Sequence, residues 1–246
     1  MAINYKLELM YDGSFFSGWQ RQKNARTVCG ELENAIKIIT KQEALLCGVS
    51  RTDAGVHARE YVANFFMDIE IPPEKLVVGI NALCAGGISV KRAEITTPEF
   101  NARFDVKSKT YLYTIDNTPY GDVFLKKYAW HFKYPLDLKA MQKACKAYVG
   151  THDFSAFMSQ GGTAKTFERT IYDASVTEDS DGIIRFSVTG NGFLYNMVRI
   201  MAGTLVWVGK GAISPEEIPD IIASRDRKRA GVTAPPHGLM LYKLNY

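Results

Sequence analysis

Ile3, Tyr5, Leu7, Leu9 and Tyr11 alternate with Asn4, Lys6, Glu8 and Met10, the two-residue period of a half-buried strand that ends in a turn at Asp12-Gly13. The period then lengthens. Val28, Leu32, Ala35, Ile36 and Ile39 follow Thr27 at helical spacing, which predicts an amphipathic helix over 28–40 with a threonine N-cap. Strands over about 44–49 and 60–67, a helix opened by Pro72-Pro73 and a strand near 88–95 complete a first half. The second half has the same grammar: a strand over 109–115, a helix from Asp137 to Val149 stopped by Gly150, and strands over 167–177 and 183–190. Leu194, Met197, Val198, Met201, Leu205 and Val208 form one stripe of a long helix that Gly209 and Gly211 end. Ser214-Pro215-Glu216-Glu217 is a capping box opening a short helix with Ile218, Ile221 and Ile222, and Gly238 to Leu244 reads as a last strand. Paired helices beside antiparallel-looking strands predict an α+β fold in two halves whose sheets are able to join. The boundary falls near residue 105, giving segments 1–104 and 105–246.

Composition narrows the classes. With 246 residues and 46% hydrophobic content, the chain can bury a full core. No run of about 18 apolar residues occurs, and Lys6 and Glu8 interrupt the place where a secretory segment would be apolar. Neither secretion nor a membrane span is expected. Cys29, Cys47, Cys84 and Cys145 are far apart and lack a nearby histidine pair, so they read as reduced core thiols of a cytoplasmic protein, without a zinc site. The net charge of +4 identifies no partner. Its distribution says more: Arg21 to Arg26, Lys107 to Lys109, Lys126-Lys127 and Arg225 to Arg229 are basic clusters, each alone a solvated face, together a pattern that fits nucleic acid.

The candidate chemistry sits in GVSRTDAGVHA, residues 48–58. An isolated R-x-D-x-G is most simply an Asx turn, with Gly55 supplying positive φ. The alternative is a functional carboxylate, Asp53, kept ionised by a nearby cation. Walker A, dinucleotide-binding and nucleophile-elbow motifs are absent, which leaves nucleotide hydrolysis, redox chemistry and triad hydrolysis without support. A lone aspartate among arginines and a strand tyrosine suits attack on, or proton removal near, an electrophilic sugar carbon.

That loop resembles the signature of the tRNA pseudouridine synthase A family. Further segments resemble the family in order: Tyr11-Asp12-Gly13, Gly18 to Gln22, Val28 to Leu32, Asn81 to Leu83, Phe100 to Phe104, Lys109 to Tyr111, Gly150 to Phe157, Asn191 to Gly203 and Thr233 to Leu241. The resemblance implies two ferredoxin-like halves joined in a central antiparallel sheet, with a cleft between them, and a homodimer. It implies conversion of uridine to pseudouridine at positions 38–40 of the tRNA anticodon stem-loop, with no cofactor or metal required. By resemblance Asp53 is the catalytic aspartate, Tyr111 stacks against the target base and Arg199 pairs with the aspartate. Arg51 and His57 either orient the loop or touch phosphate, and Leu239 and Phe193 are pocket walls or core.

Three positions depart from the family pattern: Ser50 replaces a usual glycine, Cys29 a usual glutamine and Asn101 a frequent histidine. They leave room for a paralogue acting on another RNA, such as ribosomal RNA. Two other classes share part of the pattern, an RNA-binding module without catalysis and an RNA glycosidase that releases the base.

Overall fold

The computed structural model describes residues 2–84 and 86–246, which fall into two compact units, 1–107 with 241–246 and 108–240. The first unit runs β1 (Ile3–Tyr11), α1 (Val28–Thr40), β2 (Cys47–Gly48), β3 (His57–Met67), α2 (Pro73–Leu83) and β4 (Ile88–Thr96). Strand β1 pairs antiparallel with both β3 and β4, and β2 pairs antiparallel with β3. The order β4-β1-β3-β2 is that of a ferredoxin-like βαββαβ unit, with Tyr5, Leu7, Leu9, Leu32, Ile36 and Phe65 in its core.

The helix over 28–40 has its expected bounds, and the Thr27 side chain accepts the Gly30 N–H. Pro73 stands in the first turn of α2. The expected strand over 44–49 shrinks to Cys47–Gly48. Ala44 is buried but Leu45 is 83% exposed, so the apolar run is not one buried face. Its ladder covers only the pairs Cys47 with Asn64 and Gly48 with Ala63.

The second unit runs β5 (Ser108–Asp116), β6 (Trp130–His131), α3 (Leu138–Lys146), β7 (Gly150–Asp153), β8 (Glu168–Glu178), β9 (Ile183–Gly190), α4 (Met197–Gly209) and α5 (Ile218–Ser224). Its strands lie in the order β5-β9-β8-β7, antiparallel, with β6 parallel on β5. Helix α3 stops three residues before the expected Val149. Gly150 then adopts φ +118° and opens β7. The capping box at Ser214 forms with both hydrogen bonds, first closing a 3-10 turn over Pro215–Glu217.

The last strand, β10 (Leu239–Asn245), carries residues 241–246 into the first unit, whereas reading along the chain assigns them to the second half. Hydrogen bonds explain the change. Glu60 accepts the Leu244 N–H at 3.0 Å, the Asn245 carbonyl accepts the Lys107 N–H at 2.8 Å, and the Tyr246 hydroxyl donates to the Ala102 carbonyl at 2.7 Å.

Candidate active site

Asp53 lies between β2 and β3, on a loop that the segment after β1 holds by its main chain. The first N–H groups of a helix need acceptors from outside it. In α1, Val28 and Cys29 donate theirs to the carbonyls of Gly18 and Trp19 at 3.1 and 3.0 Å, and the Trp19 N–H donates onward to the Thr52 carbonyl at 3.1 Å. Gly18 has φ +92°, and a Cβ there would stand 2.6 Å from the Thr52 carbonyl oxygen. A Cβ on Gly13 would stand 2.1 Å from the Val56 carbonyl oxygen. Only glycine lets the backbones approach this closely. Beyond the aspartate, Gly55 donates its N–H to Phe16 at 3.3 Å, and the Val56 N–H closes a turn on the Asp53 carbonyl at 3.2 Å.

Side chains complete the brace. The Tyr11 and Thr52 hydroxyls share a 2.8 Å hydrogen bond, and the Tyr61 hydroxyl donates to the Ser50 carbonyl. The Tyr61 ring stacks on Trp19 with centroids 4.2 Å apart. His57 is buried, with its Nδ1 3.1 Å from the Gly13 nitrogen and 3.1 Å from Asp12 Oδ1. These contacts tie His57 to the Asp12-Gly13 turn. Within Arg51-Thr52-Asp53 the environments diverge: Arg51 is exposed, Thr52 buried and Asp53 half-buried.

In the second unit, Tyr111 lies on β5 opposite Val188. It is largely buried, edge-on to Phe193 at 5.1 Å and 83°. Leu239 is buried as well. Arg199 stands in the first turn of α4, and its guanidinium donates to groups of its own unit. Nε donates to the Ala234 carbonyl at 2.7 Å and a terminal nitrogen donates to Asn196 Oδ1 at 2.7 Å. The Ala234 N–H returns a hydrogen bond to the Arg199 carbonyl at 3.1 Å.

The segment carrying Ala234 is itself fixed on α4. A Cβ on Gly203 would stand 1.9 Å from the Val232 carbonyl oxygen, and the Gly231 N–H donates to Thr204 at 2.9 Å. Arg227 donates to the Ala230 carbonyl and the Thr233 hydroxyl at 3.3 and 3.2 Å. The Tyr113 hydroxyl donates to the Pro235 carbonyl at 2.8 Å. Burial pushes its phenol far above the ordinary value and the Arg199 charge offsets only part of that, so the hydroxyl remains a donor.

Comparison with known proteins identifies the whole. Residues 144–246 match the model of a family described as tRNA pseudouridine synthase. The tRNA pseudouridine synthase A of Acetivibrio thermocellus is 46% identical over 243 residues, 99% of each chain. The chain belongs to the tRNA pseudouridine synthase A family. The enzyme of that name from Thermoanaerobacter sp. strain X514 is 45% identical over 99% of each chain, and the tRNA pseudouridine synthase A 2 of Clostridium tetani is 45% identical over the full length of both.

In the structure of this chain the basic clusters divide. Arg21 pairs with Glu33 at 3.0 Å, Arg26 with Glu31 at 3.3 Å and Arg225 with Asp153 at 3.1 Å. Arg227 is turned inward, as described above. Lys23, Lys107, Lys126 and Lys228 are exposed. Among the described residues, no three His, Cys, Asp or Glu side chains are placed to hold a metal, and no helix is long and apolar enough to cross a membrane. Gly13, Gly18 and Asn196 lie in segments noted in the sequence, but their supporting role and that of Ser159 were not read from it. Their sequence signals are two glycines flanking SFFS, residues 14–17, and the Asn-x-x-Arg spacing at the start of α4.

Proposed function

We propose that this chain is a cytoplasmic, homodimeric tRNA pseudouridine synthase that isomerises uridine at positions 38–40 of the anticodon stem-loop. The observation that carries the proposal is the 46% identity over 99% of the chain, a span that includes Asp53, Tyr111, Arg199 and Arg51. In the reaction the N1–C1′ bond breaks, the uracil turns and a C5–C1′ bond forms; C5 loses a proton and N1 gains one. Nothing is oxidised or reduced, so the reaction calls for no cofactor or metal.

Asp53, as a carboxylate, acts on the sugar of the reacting nucleotide, by attack on C1′ or by removing a sugar proton. The target base leaves its stack to reach it. Tyr111 stacks on that base and offsets about 1–3 kcal/mol of the cost. Arg199 favours the ionised carboxylate, and exposed Arg51 beside Asp53 meets a backbone phosphate. The braced main chain around Asp53 supports this assignment, since a nucleophile or base must be held within a fraction of an ångström.

The three departures from the family pattern have structural work of their own. Cys29 is buried with its thiol donating to Glu33 at 3.3 Å, and burial followed by the Glu33 charge pushes that thiol up to about 12. Asn101 Oδ1 accepts the N–H groups of Arg103 and Phe104 in its own turn. The Ser50 hydroxyl donates to the Arg51 carbonyl at 3.5 Å, while its own carbonyl accepts the Tyr61 hydroxyl as a glycine's would. None of these favours a different RNA.

Carbodiimide-based primer extension on RNA from cells with and without the gene tests the proposal. Stops at tRNA positions 38–40 should vanish with the gene. Loss of stops in ribosomal RNA instead would mark a paralogue, and no change at all would mark a binding module. Sedimentation equilibrium should give twice the mass of one chain.

A further inference from the structure

Asn196 is one of three non-glycine residues with positive φ among the described residues, at φ +62°, ψ +7°. For an ordinary side chain this conformation is strained, although asparagine tolerates it better than most. Asn196 does not cap α4 with its side chain, the usual reason for an asparagine at this position. Its amide bridges two other groups. Oδ1 accepts from Arg199 at 2.7 Å while Nδ2 donates to Ser159 Oγ at 2.9 Å. The guanidinium only donates, so the amide oxygen must face it and Nδ2 is directed at the hydroxyl, which accepts.

Ser159 is in turn fixed, because its N–H donates to the Tyr195 carbonyl at 3.1 Å. It opens the segment 159–166, SQGGTAKT, where Gln160, Gly161, Lys165 and Thr166 are exposed. An exposed segment thus ends on a hydroxyl that is two hydrogen bonds from Arg199.

We propose that Asn196 is a positioning residue for the reaction, whose amide, locked by Ser159, sets the orientation of the Arg199 guanidinium and couples it to the 159–166 segment. The proposal rests on the assignment of Arg199 to the reacting nucleotide. A planar guanidinium is useful only when its fork is aimed correctly; the Ala234 carbonyl accepts from Nε, and Asn196 Oδ1 accepts from a terminal nitrogen.

The test is single-turnover pseudouridine formation and tRNA binding for a set of variants, with Tm measured for each. Glycine adopts positive φ without cost, so Asn196→Gly removes the amide while relieving the backbone. Its Tm should match or exceed wild type and its tRNA affinity should stay within about three-fold. Its rate should fall about ten- to hundred-fold, the scale of a misaimed group. Asn196→Asp keeps an oxygen facing Arg199 and should recover most of that rate, which a purely structural role would not predict.

Ser159→Ala should cost about three- to ten-fold alone and nothing further on top of Asn196→Gly, because Ser159 acts through Asn196. Equal rates for the Gly and Asp variants, a wild-type rate for Asn196→Gly, or additive losses with Ser159→Ala would each overturn the proposal. Arg199→Leu is measured alongside. Its retaining full rate would overturn the assignment of Arg199 itself, whereas its losing rate while Asn196→Gly does not would overturn only the role of Asn196.

Discussion

The two units hold their proposed functional groups by different means. Around Asp53 the fixing contacts are mainly backbone to backbone: Trp19 to Thr52, Gly55 to Phe16 and Val56 to Asp53, made possible by the missing side chains of Gly13 and Gly18. Around Arg199 side chains carry more of the work, through Asn196, Ser159, Arg227 and Tyr113, beside the main-chain bond from Ala234 to Arg199 and the close approach at Gly203. The difference follows from the jobs proposed. A short carboxylate has two side-chain torsions, so placing its main chain nearly places the group. Arginine has four, and its far end must be held separately.

The comparison breaks most sharply at Gly13. Gly13→Ala forces a Cβ to within 2.1 Å of the Val56 carbonyl oxygen, and main chain cannot yield as a flexible side chain can. The Asp53 loop should shift, with single-turnover rate falling by about a hundred-fold and Tm falling with it. A wild-type rate would show that the loop is not built on this close approach.

Asp116→Asn supplies a control in the second unit, away from the Arg199 cluster. Asp116 is buried. Burial pushes its carboxyl up, but hydrogen bonds from the Thr118 hydroxyl and from the N–H groups of Asp122 and Thr118 outweigh it, and the net shift is downward. A carboxyl depressed in the folded state adds stability above its unfolded value, near pH 3.9, and that stability is lost as pH falls through the lower folded value. The asparagine variant should be less stable by about 1–3 kcal/mol at pH 7. The gap should narrow towards pH 3, with single-turnover rate nearly unchanged. A gap independent of pH would contradict the account of these hydrogen bonds.

Arg227→Met sharpens the side-chain half of the comparison. It removes the hydrogen bonds to Ala230 and Thr233, and through them the support of the Ala234 carbonyl that holds Arg199. A loss of about ten-fold in rate is expected, the free energy of roughly one charged hydrogen bond, with little change in the salt dependence of tRNA binding. Lys228, its exposed neighbour, should behave in the opposite way. Lys228→Gln should leave single-turnover rate intact and flatten the slope of log affinity against log salt by about one unit. An unchanged slope would return Lys228 to an ordinary solvated face.

How much was legible in the sequence depended on how local the cause was. The helix over 28–40, the strand over 183–190 and the Ser214 capping box follow from caps and periodicity within a few residues, and they appear with the expected bounds or bonds. The strands Trp130–His131 and Gly150–Asp153 were missed because two- and four-residue strands carry too little periodicity to show. The destination of residues 241–246 was missed because their partners, Glu60, Ala102 and Lys107, lie far away in sequence. At the candidate site, Asp53, Tyr111, Arg199 and Arg51 could be named because they lie in recognisable motifs. Gly13 and Gly18 lie in such segments too, but their supporting role could not be read there, since it arises from the carbonyls of Val56 and Thr52, far along the chain. Ser159 and Asn196 are likewise joined across 37 residues by one hydrogen bond.

The most direct test of the central claim is nucleoside analysis of a purified tRNA substrate after a single turnover with wild-type enzyme and with Asp53→Asn, which keeps the shape of the side chain and removes its charge. The wild type should convert uridine to pseudouridine with no free uracil released. The variant should form none while binding tRNA within several-fold of wild type. Pseudouridine from Asp53→Asn, or free uracil and an abasic site from the wild type, would contradict it.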